Sequence, residues 1–132
     1  MNNVLFYISA FCIIFISGCN RDEILPYKPG EALQAVENLD YTLTEPEVLL
    51  TWSLPTSYPE EIVQPVSVQI RISVDGKNAG TYVLENAPES YTFSPYDPQS
   101  KYRFTVKVMG DVDNMDPHLT DMKYSLGKTV AF

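Results

Sequence analysis

Between residues 66 and 74 the chain alternates strictly between apolar and polar side chains, and this alternation constrains the fold more than any other feature. A period of two residues places one kind of side chain on each face of a β-strand. The segment therefore predicts a strand with one buried face and one solvated face. Asp75-Gly76 follows and supplies the positive φ angles of a hairpin turn, so we expect the chain to return antiparallel. The apolar positions are Val66, Val68, Ile70, Ile72 and Val74.

The same alternation recurs at short intervals between turn signals, and no segment after the first 31 residues shows sustained helical periodicity. This pattern is typical of an all-β sandwich or barrel. Seven short strands in about 100 residues predict a single seven-stranded immunoglobulin-like β-sandwich over residues 32–132. The other six strands are predicted at residues 35–39, 48–52, 81–84, 91–93, 102–108 and 129–132.

The second predicted strand resembles that of fibronectin type III domains. Val48, Leu50 and Trp52 alternate along it and Pro55 follows, as in that family, whose tryptophan packs in the core. The resemblance implies that Trp52 is a core residue and not a ligand contact.

A second segment carries the same resemblance. The run from Tyr91 to Tyr102, YTFSPYDPQSKY, is similar to the segment that ends in the tyrosine corner of fibronectin type III domains. Tyr96 stands where the family usually has leucine, and Gln99 stands where glycine is common. The resemblance implies that the hydroxyl of Tyr102 bonds to the backbone nearby. It extends over residues 33–132 and places the predicted sandwich in the fibronectin type III class.

The N-terminus predicts a secretory leader. The apolar run from Val4 to Ile16 is shorter than the about 20 residues that a membrane span needs, but it suits the core of a signal peptide. Ile16-Ser17-Gly18-Cys19 resembles a bacterial lipobox, which implies cleavage after residue 18 and lipid attachment to Cys19. We therefore expect a signal peptide at residues 1–18 and a lipidated tether at residues 19–31. Because Met1-Asn2-Asn3 lacks Lys and Arg, ordinary secretion and an uncleaved anchor stay open.

An acidic cluster follows the predicted lipidation site. Asn20-Arg21-Asp22-Glu23 resembles the export signal of surface lipoproteins of Bacteroidetes, and it implies an outer-membrane protein displayed at the cell surface. Solvated linker charges on a periplasm-facing lipoprotein are the alternative. Lipid on Cys19 would make the membrane a partner through the anchor, since two or more acyl chains hold a protein stably.

Cysteine count and charge exclude several functions for the predicted domain. Cys12 lies in the leader and Cys19 carries lipid, so residues 32–132 have no thiol for a disulfide, a thiolate metal site or a nucleophile. The net charge of −8 disfavours nucleic acid as a partner, because phosphates would be repelled.

The sequence offers no catalytic constellation, so we expect a protein that is not an enzyme and has no cofactor. His118 is the only histidine, and no G-x-S-x-G, H-E-x-x-H or glycine-rich phosphate loop occurs. Glu60-Glu61 is the obvious adjacent pair of carboxylates that could suggest glycoside chemistry. Neighbouring residues on a loop point in different directions, and solvated loop charges are therefore the better interpretation.

The long connection from Gly110 to Ser125 is the candidate partner-binding loop. Structureless connections of this length are uncommon and are usually functional or disordered. Its oxygen-rich side chains would also suit calcium, but Met115 stands where an EF-hand has its third ligand, and we expect no metal. A protein-binding loop, a calcium site and a mobile acidic loop remain the alternatives. The candidate residues are Asp111, Asp113, Asn114, Asp116, His118 and Asp121.

These observations predict a non-enzymatic protein-binding or adhesive module at the cell surface. The alternative is a carbohydrate-binding accessory lipoprotein for glycan capture or uptake, since exposed tyrosines can stack on sugars. The loop tyrosines are predicted at both ends of the sandwich and so do not form one platform. They are Tyr41, Tyr58, Tyr96 and Tyr124.

Overall fold

The computed structural model describes residues 32–113 and 121–132, and these residues form strands and turns without a helix. The all-β prediction is therefore confirmed. Residues Glu31–Phe132 form one compact unit. The described part of the chain contains no helix able to cross a membrane. The strands are β1 (Glu37–Thr44), β2 (Glu47–Ser53), β3 (Ser67–Val74), β4 (Lys77–Leu84), β5 (Ser90–Phe93), β6 (Tyr102–Asp111), β7 (Met122–Tyr124) and β8 (Lys128–Ala131).

The strands form two antiparallel sheets. The three-stranded sheet has the order β1-β2-β5, and the five-stranded sheet has the order β4-β3-β6, with both β7 and β8 paired to β6. The β3–β6 ladder runs without interruption from Ser67 opposite Met109 to Val74 opposite Tyr102. Directly opposite residues share a face of the sheet, so this register determines which side chains enter the core.

The core lies between the two sheets and follows the alternation that the sequence predicts. β2, β3 and β6 each contribute every second side chain, and the intervening side chains stay on the outer faces. Phe104, the largest side chain that is fully buried, lies on β6. The buried residues of these strands are Val48, Leu50, Trp52, Val68, Ile70, Ile72, Tyr102, Phe104, Val106 and Val108.

The two residues expected to be structural are both in the core. Trp52 is 4% exposed, and its indole Nε1–H donates to the carbonyl oxygen of Pro88 at 2.8 Å. The hydroxyl oxygen of Tyr102 accepts a hydrogen bond from the backbone N–H of Asp97 at 2.9 Å. The tyrosine corner implied by the fibronectin type III resemblance is therefore confirmed.

Removing the Tyr102 hydroxyl should weaken the domain modestly. In Tyr102→Phe the N–H of Asp97 loses its partner in a part-buried place, and we expect the free energy of unfolding to fall by about 1–2 kcal/mol. Tyr124→Phe is the matched control, because Tyr124 is 49% exposed and should lose less than about 0.5 kcal/mol. Urea denaturation of both variants measures the difference. Equal losses would show that the corner bond contributes nothing.

The predicted last strand, residues 129–132, is present as β8, and the structure adds the short strand β7 within the predicted long connection, so it has eight strands. β7 pairs with the end of β6 near Met109 and β8 pairs with its start near Arg103. Ser125 lies between β7 and β8. Its side-chain Oγ accepts a hydrogen bond from the N–H of Val108 at 2.8 Å, in the place of the backbone carbonyl oxygen that a regular strand would offer. The backbone is thereby displaced, and Leu126 is left 84% exposed. Counted as one interrupted strand, β7 and β8 restore the predicted seven.

Three boundaries predicted from the sequence were wrong. β4 begins at residue 77 and not at residue 81. β1 covers residues 37–44 and not 35–39, so Tyr41 lies in a strand and not in a loop. The connection between β6 and β7 covers residues 112–121, because residues 110–111 belong to β6 and residues 122–124 form β7. At each of these boundaries, pairing with a neighbouring strand determines the local structure.

The sandwich has two poles. At the proximal pole the described chain begins, and the connections at residues 54–66 and 85–89 come together with residues 112–113 and 121, the described ends of the β6–β7 connection. Ile62, for example, pairs with Val112 there. At the distal pole, the N–H of Asp75 in the β3–β4 turn donates to the carbonyl oxygen of Lys101 at 2.8 Å. The first described residues thus enter the domain beside the β6–β7 connection.

Candidate functional site

Three of the predicted partner-binding residues lie at the proximal pole. Asp111 ends β6, Asp113 follows it, and Asp121 precedes β7, and all three are exposed. The other three predicted residues, Asn114, Asp116 and His118, lie outside the described residues.

Both ends of the acidic connection are held by backbone hydrogen bonds. The N–H of Val63 donates to the carbonyl oxygen of Asp111 at 2.9 Å, and the N–H of Asp113 donates to that of Glu61 at 2.8 Å. On the other side, the N–H of Val112 donates to the carbonyl oxygen of Asp121 at 2.8 Å. The flanks of the connection are therefore continuous with the β-sheet.

The same pairing separates the three aspartates. The β6–β7 register continues to Val112 opposite Asp121, so these two residues share a face. Asp111 and Asp113 alternate with Val112 and occupy the other face. Within residues 32–113 and 121–132 no three acidic, histidine or cysteine side chains are grouped so as to hold a metal ion.

We expect calcium not to stabilise the domain, because Met115 stands where an EF-hand has its third ligand. A site of any affinity would add about 2.7 kcal/mol at calcium concentrations 100 times its dissociation constant. We expect the same melting temperature with calcium, with magnesium and with chelator, for the native chain and for Asp111→Asn/Asp113→Asn alike. A rise with calcium alone, absent from the double variant, would establish a calcium site.

The adjacent carboxylates of the β2–β3 connection do not act as a pair. Glu61 forms an ion pair with Lys123 of β7, whereas the side chain of Glu60 is exposed to solvent. The ion pair links the β2–β3 connection to β7, and its role in the described structure is to hold the proximal pole together.

Most of the loop tyrosines pack against the domain instead of presenting a flat aromatic surface. At the distal pole Tyr41 stacks on Phe132 with ring centroids 4.6 Å apart, and Tyr96 meets the same ring edge-on at 6.3 Å. Tyr58 is half-buried on the β2–β3 connection, where burial and then the nearby carboxylate of Glu89 raise the pKa of its hydroxyl. Tyr124 is 49% exposed on β7.

The outer faces of the two sheets carry opposite charges, a feature that the sequence analysis missed. On the five-stranded sheet, Arg71 lies opposite Thr105, Arg103 opposite Ser73 and Lys107 opposite Gln69, so the three cations share one face. We call Arg71, Arg103 and Lys107 with their sheet neighbours the basic face; Asp111 lies on the same side of the sheet, beyond Lys107 at the proximal end of β6. Among the described residues none of the three forms an ion pair.

The three-stranded sheet presents the acidic face. Glu37 lies opposite Ser53, Asp40 opposite Thr51, and Glu47 opposite Thr44, all on the outer side of β1 and β2. None of the residues of β1, β2 and β5 is a lysine or arginine. All the lysines and arginines of the described residues lie on or beside the five-stranded sheet: Arg71, Lys77, Lys101, Arg103, Lys107, Lys123 and Lys128.

The chain was compared with protein families, curated proteins and solved structures. The model of a family described as "Domain of unknown function (DUF4945)" matches residues 19–132. Comparison with curated proteins gave no match. The chain is also similar to the crystal structure of an FN3 domain of human collagen XX, with a TM-score of 0.50 and 14% sequence identity, over 79% of this chain and 97% of that chain. At this identity the likeness shows the fold alone, and it confirms the fibronectin type III-like class.

Proposed function

Since the chain belongs to the DUF4945 family and folds as a fibronectin type III-like sandwich, we propose that it is a non-enzymatic binding module. In this proposal a lipid on Cys19 holds it in the outer membrane at the cell surface, and it binds a protein partner. The fold is the observation that carries the proposal. Domains of this class present loops and sheet faces on a closed core, which suits recognition.

The described domain has a complete core, which supports a role for its surface. Its fourteen buried apolar residues form one cluster between the sheets. Within residues 32–113 and 121–132 every buried side-chain nitrogen or oxygen has a hydrogen-bond partner. The domain therefore needs no partner to complete its interior, and recognition falls to its connections and outer faces.

The position of the chain's entry into the domain suggests which surfaces meet which partners. Leu33 is buried at the proximal pole, near Gly110. A tether of about a dozen residues spans at most ~40 Å when extended and about 20 Å as a flexible coil. We therefore place the proximal pole near the membrane, where residues 112–121 would meet a neighbouring membrane protein, and the distal pole toward soluble partners.

Photo-crosslinking on intact cells tests the proposal. A photoreactive residue replaces Asp113 at the proximal pole or Asn78 on β4, and crosslinked material is purified through the full chain. We expect one discrete protein adduct from one of the two positions. Retention of glycan without a protein adduct would instead support the carbohydrate-binding alternative. If both positions gave the same broad mixture of crosslinked proteins, the result would argue against a specific partner.

A further inference from the structure

We propose that copies of this chain anchored in one membrane associate side by side, the acidic face of one copy packing on the basic face of the next. This inference rests on the proposed function only in needing the lipid anchor. It assigns a self-association surface to both outer faces of the sandwich.

The basic face presents an ordered row of cations. Arg103 and Lys107 are four residues apart on β6, which is about 13–14 Å along the strand. Arg71, on the neighbouring strand, lies opposite Thr105 and therefore between them. Val83 and Tyr124 share this face and are 48% and 49% exposed, so apolar surface accompanies the charge.

The acidic face has a matching spacing. Asp40 lies opposite Thr51, and Glu47 is four residues from Thr51 on β2. The two carboxylates are therefore also about 13–14 Å apart along the strands, the separation of Arg103 and Lys107. Leu49 lies between them and is 40% exposed. Two such faces can meet with both charge pairs opposed and with apolar contact at the centre.

Face-to-face packing keeps every copy in the same orientation toward the membrane. Sheets that pack in an aligned way keep their strand directions within about 30° of each other. A copy placed on the next by translation therefore has its proximal pole on the same side, and all tethers can enter one bilayer. The contact is heterologous, so it generates a row instead of a closed dimer.

The exposed edge of β4 is the competing self-association surface, and it fits the anchor less well. Symmetric antiparallel pairing of two β4 edges would reverse the strand direction and direct the two proximal poles oppositely. The strand also carries an irregularity between its pairings with Ile72 and Ser73, and Lys77 at its start. Bulges and lysines are features that protect edge strands from pairing.

The size of the contact explains why the anchor is needed. The three strands of the acidic face have eight, seven and four residues and cover about 300 Å² for each copy, at about 3.3 Å per residue and about 4.8 Å between strands. A stable complex in solution buries about 800 Å² for each partner. Free copies should therefore stay monomeric, whereas confinement to a membrane raises the effective concentration enough for a weak contact to form.

Crosslinking between two differently tagged full-length copies tests the inference. One copy carries Thr51→Cys on the acidic face and the other carries Gln69→Cys on the basic face, and a short bismaleimide is added to isolated membranes. We expect a crosslinked heterodimer, and we expect its yield to fall several-fold when salt is raised from 0.1 M to 1 M, because the Debye length shortens from about 10 Å to about 3 Å.

Charge reversal with rescue provides the decisive comparison. Arg71→Glu/Arg103→Glu/Lys107→Glu in the Gln69→Cys copy should lower the yield about tenfold. Adding Glu37→Lys/Asp40→Lys/Glu47→Lys to the Thr51→Cys copy should restore it to within about twofold, since the reversed faces are again complementary. Rescue also shows that both variants fold.

A charge-matched control separates this contact from net charge. Lys77→Glu/Lys101→Glu/Lys128→Glu changes the charge equally but leaves Arg71, Arg103 and Lys107 in place, so the yield should be unchanged. The proposed row of copies would be contradicted if two Gln69→Cys copies crosslinked equally well. It would also be contradicted if the charge reversal left the crosslinking yield unchanged. If the protein is in the membrane pellet but does not crosslink, only the proposed row is contradicted. If the protein is in the soluble fraction, the proposed lipid anchor is contradicted as well.

Discussion

Trp52→Ala should lower the free energy of unfolding by about 3–5 kcal/mol, the usual cost of deleting a large buried aromatic side chain. Trp52 is 4% exposed between the sheets, so its removal leaves a cavity that the neighbouring strands can fill only in part. The variant also leaves the carbonyl oxygen of Pro88 without the donor that Nε1–H supplies at 2.8 Å. Urea or thermal denaturation measures the loss.

Two further variants make the test of Trp52 specific. Trp52→Phe keeps most of the apolar volume and removes the N–H donor, so it should lose clearly less than Trp52→Ala. Tyr124→Ala truncates an aromatic residue that is 49% exposed and should change stability little. A loss below about 1 kcal/mol for Trp52→Ala would place the indole at the surface and return it to the candidate ligand contacts.

Cys19→Ala should move nearly all of the protein from the membrane pellet to the soluble fraction. If lipid on this cysteine is the anchor, removing its thiol removes the acyl chains that hold the protein at the bilayer. Residues Glu31–Phe132 form a compact unit of their own, so the melting temperature of the domain should stay unchanged. Fractionation and thermal denaturation of the same preparation measure both effects.

Cys12→Ala is the matched control for the anchor. Cys12 lies within the apolar run from Val4 to Ile16, where alanine serves equally well in a signal peptide core. This variant should fractionate with membranes as the native chain does. If Cys19→Ala also stays in the pellet, the apolar leader is itself the anchor and the lipoprotein interpretation fails.

The parts of the fold that could be predicted are those in which one strand face is fully buried. β3 and β6 alternate strictly, and Ile70 and Phe104 are fully buried. A shift of the strand register by one residue would expose these side chains, so only one register is stable. The tyrosine corner was also predicted, from the resemblance of residues 91–102 to fibronectin type III domains, and its bond joins residues only five apart in the chain. Both features depend on residues that are close together in the sequence, so the sequence pattern is enough to predict them.

Ser125 shows why the short strand β7 could not be predicted. Its hydroxyl takes the N–H of Val108, seventeen residues away, and this bond interrupts the strand that a uniform ladder would have continued. Residues 122–124 have too few alternating positions to predict β7, which forms because β6 offers it a free edge. Both features depend on contacts distant in the chain.

The alternation of side chains was enough to tell which residues face inward and which face solvent, because that depends only on the period of a single strand. It could not tell which strands join the same sheet. Arg71 and Arg103 share a face because β3 pairs with β6, and Asp40 and Glu47 share the opposite face because β1 pairs with β2. Opposite charges on the two outer faces therefore arise only when the strands pair, since strand pairing brings together residues that lie far apart in the chain.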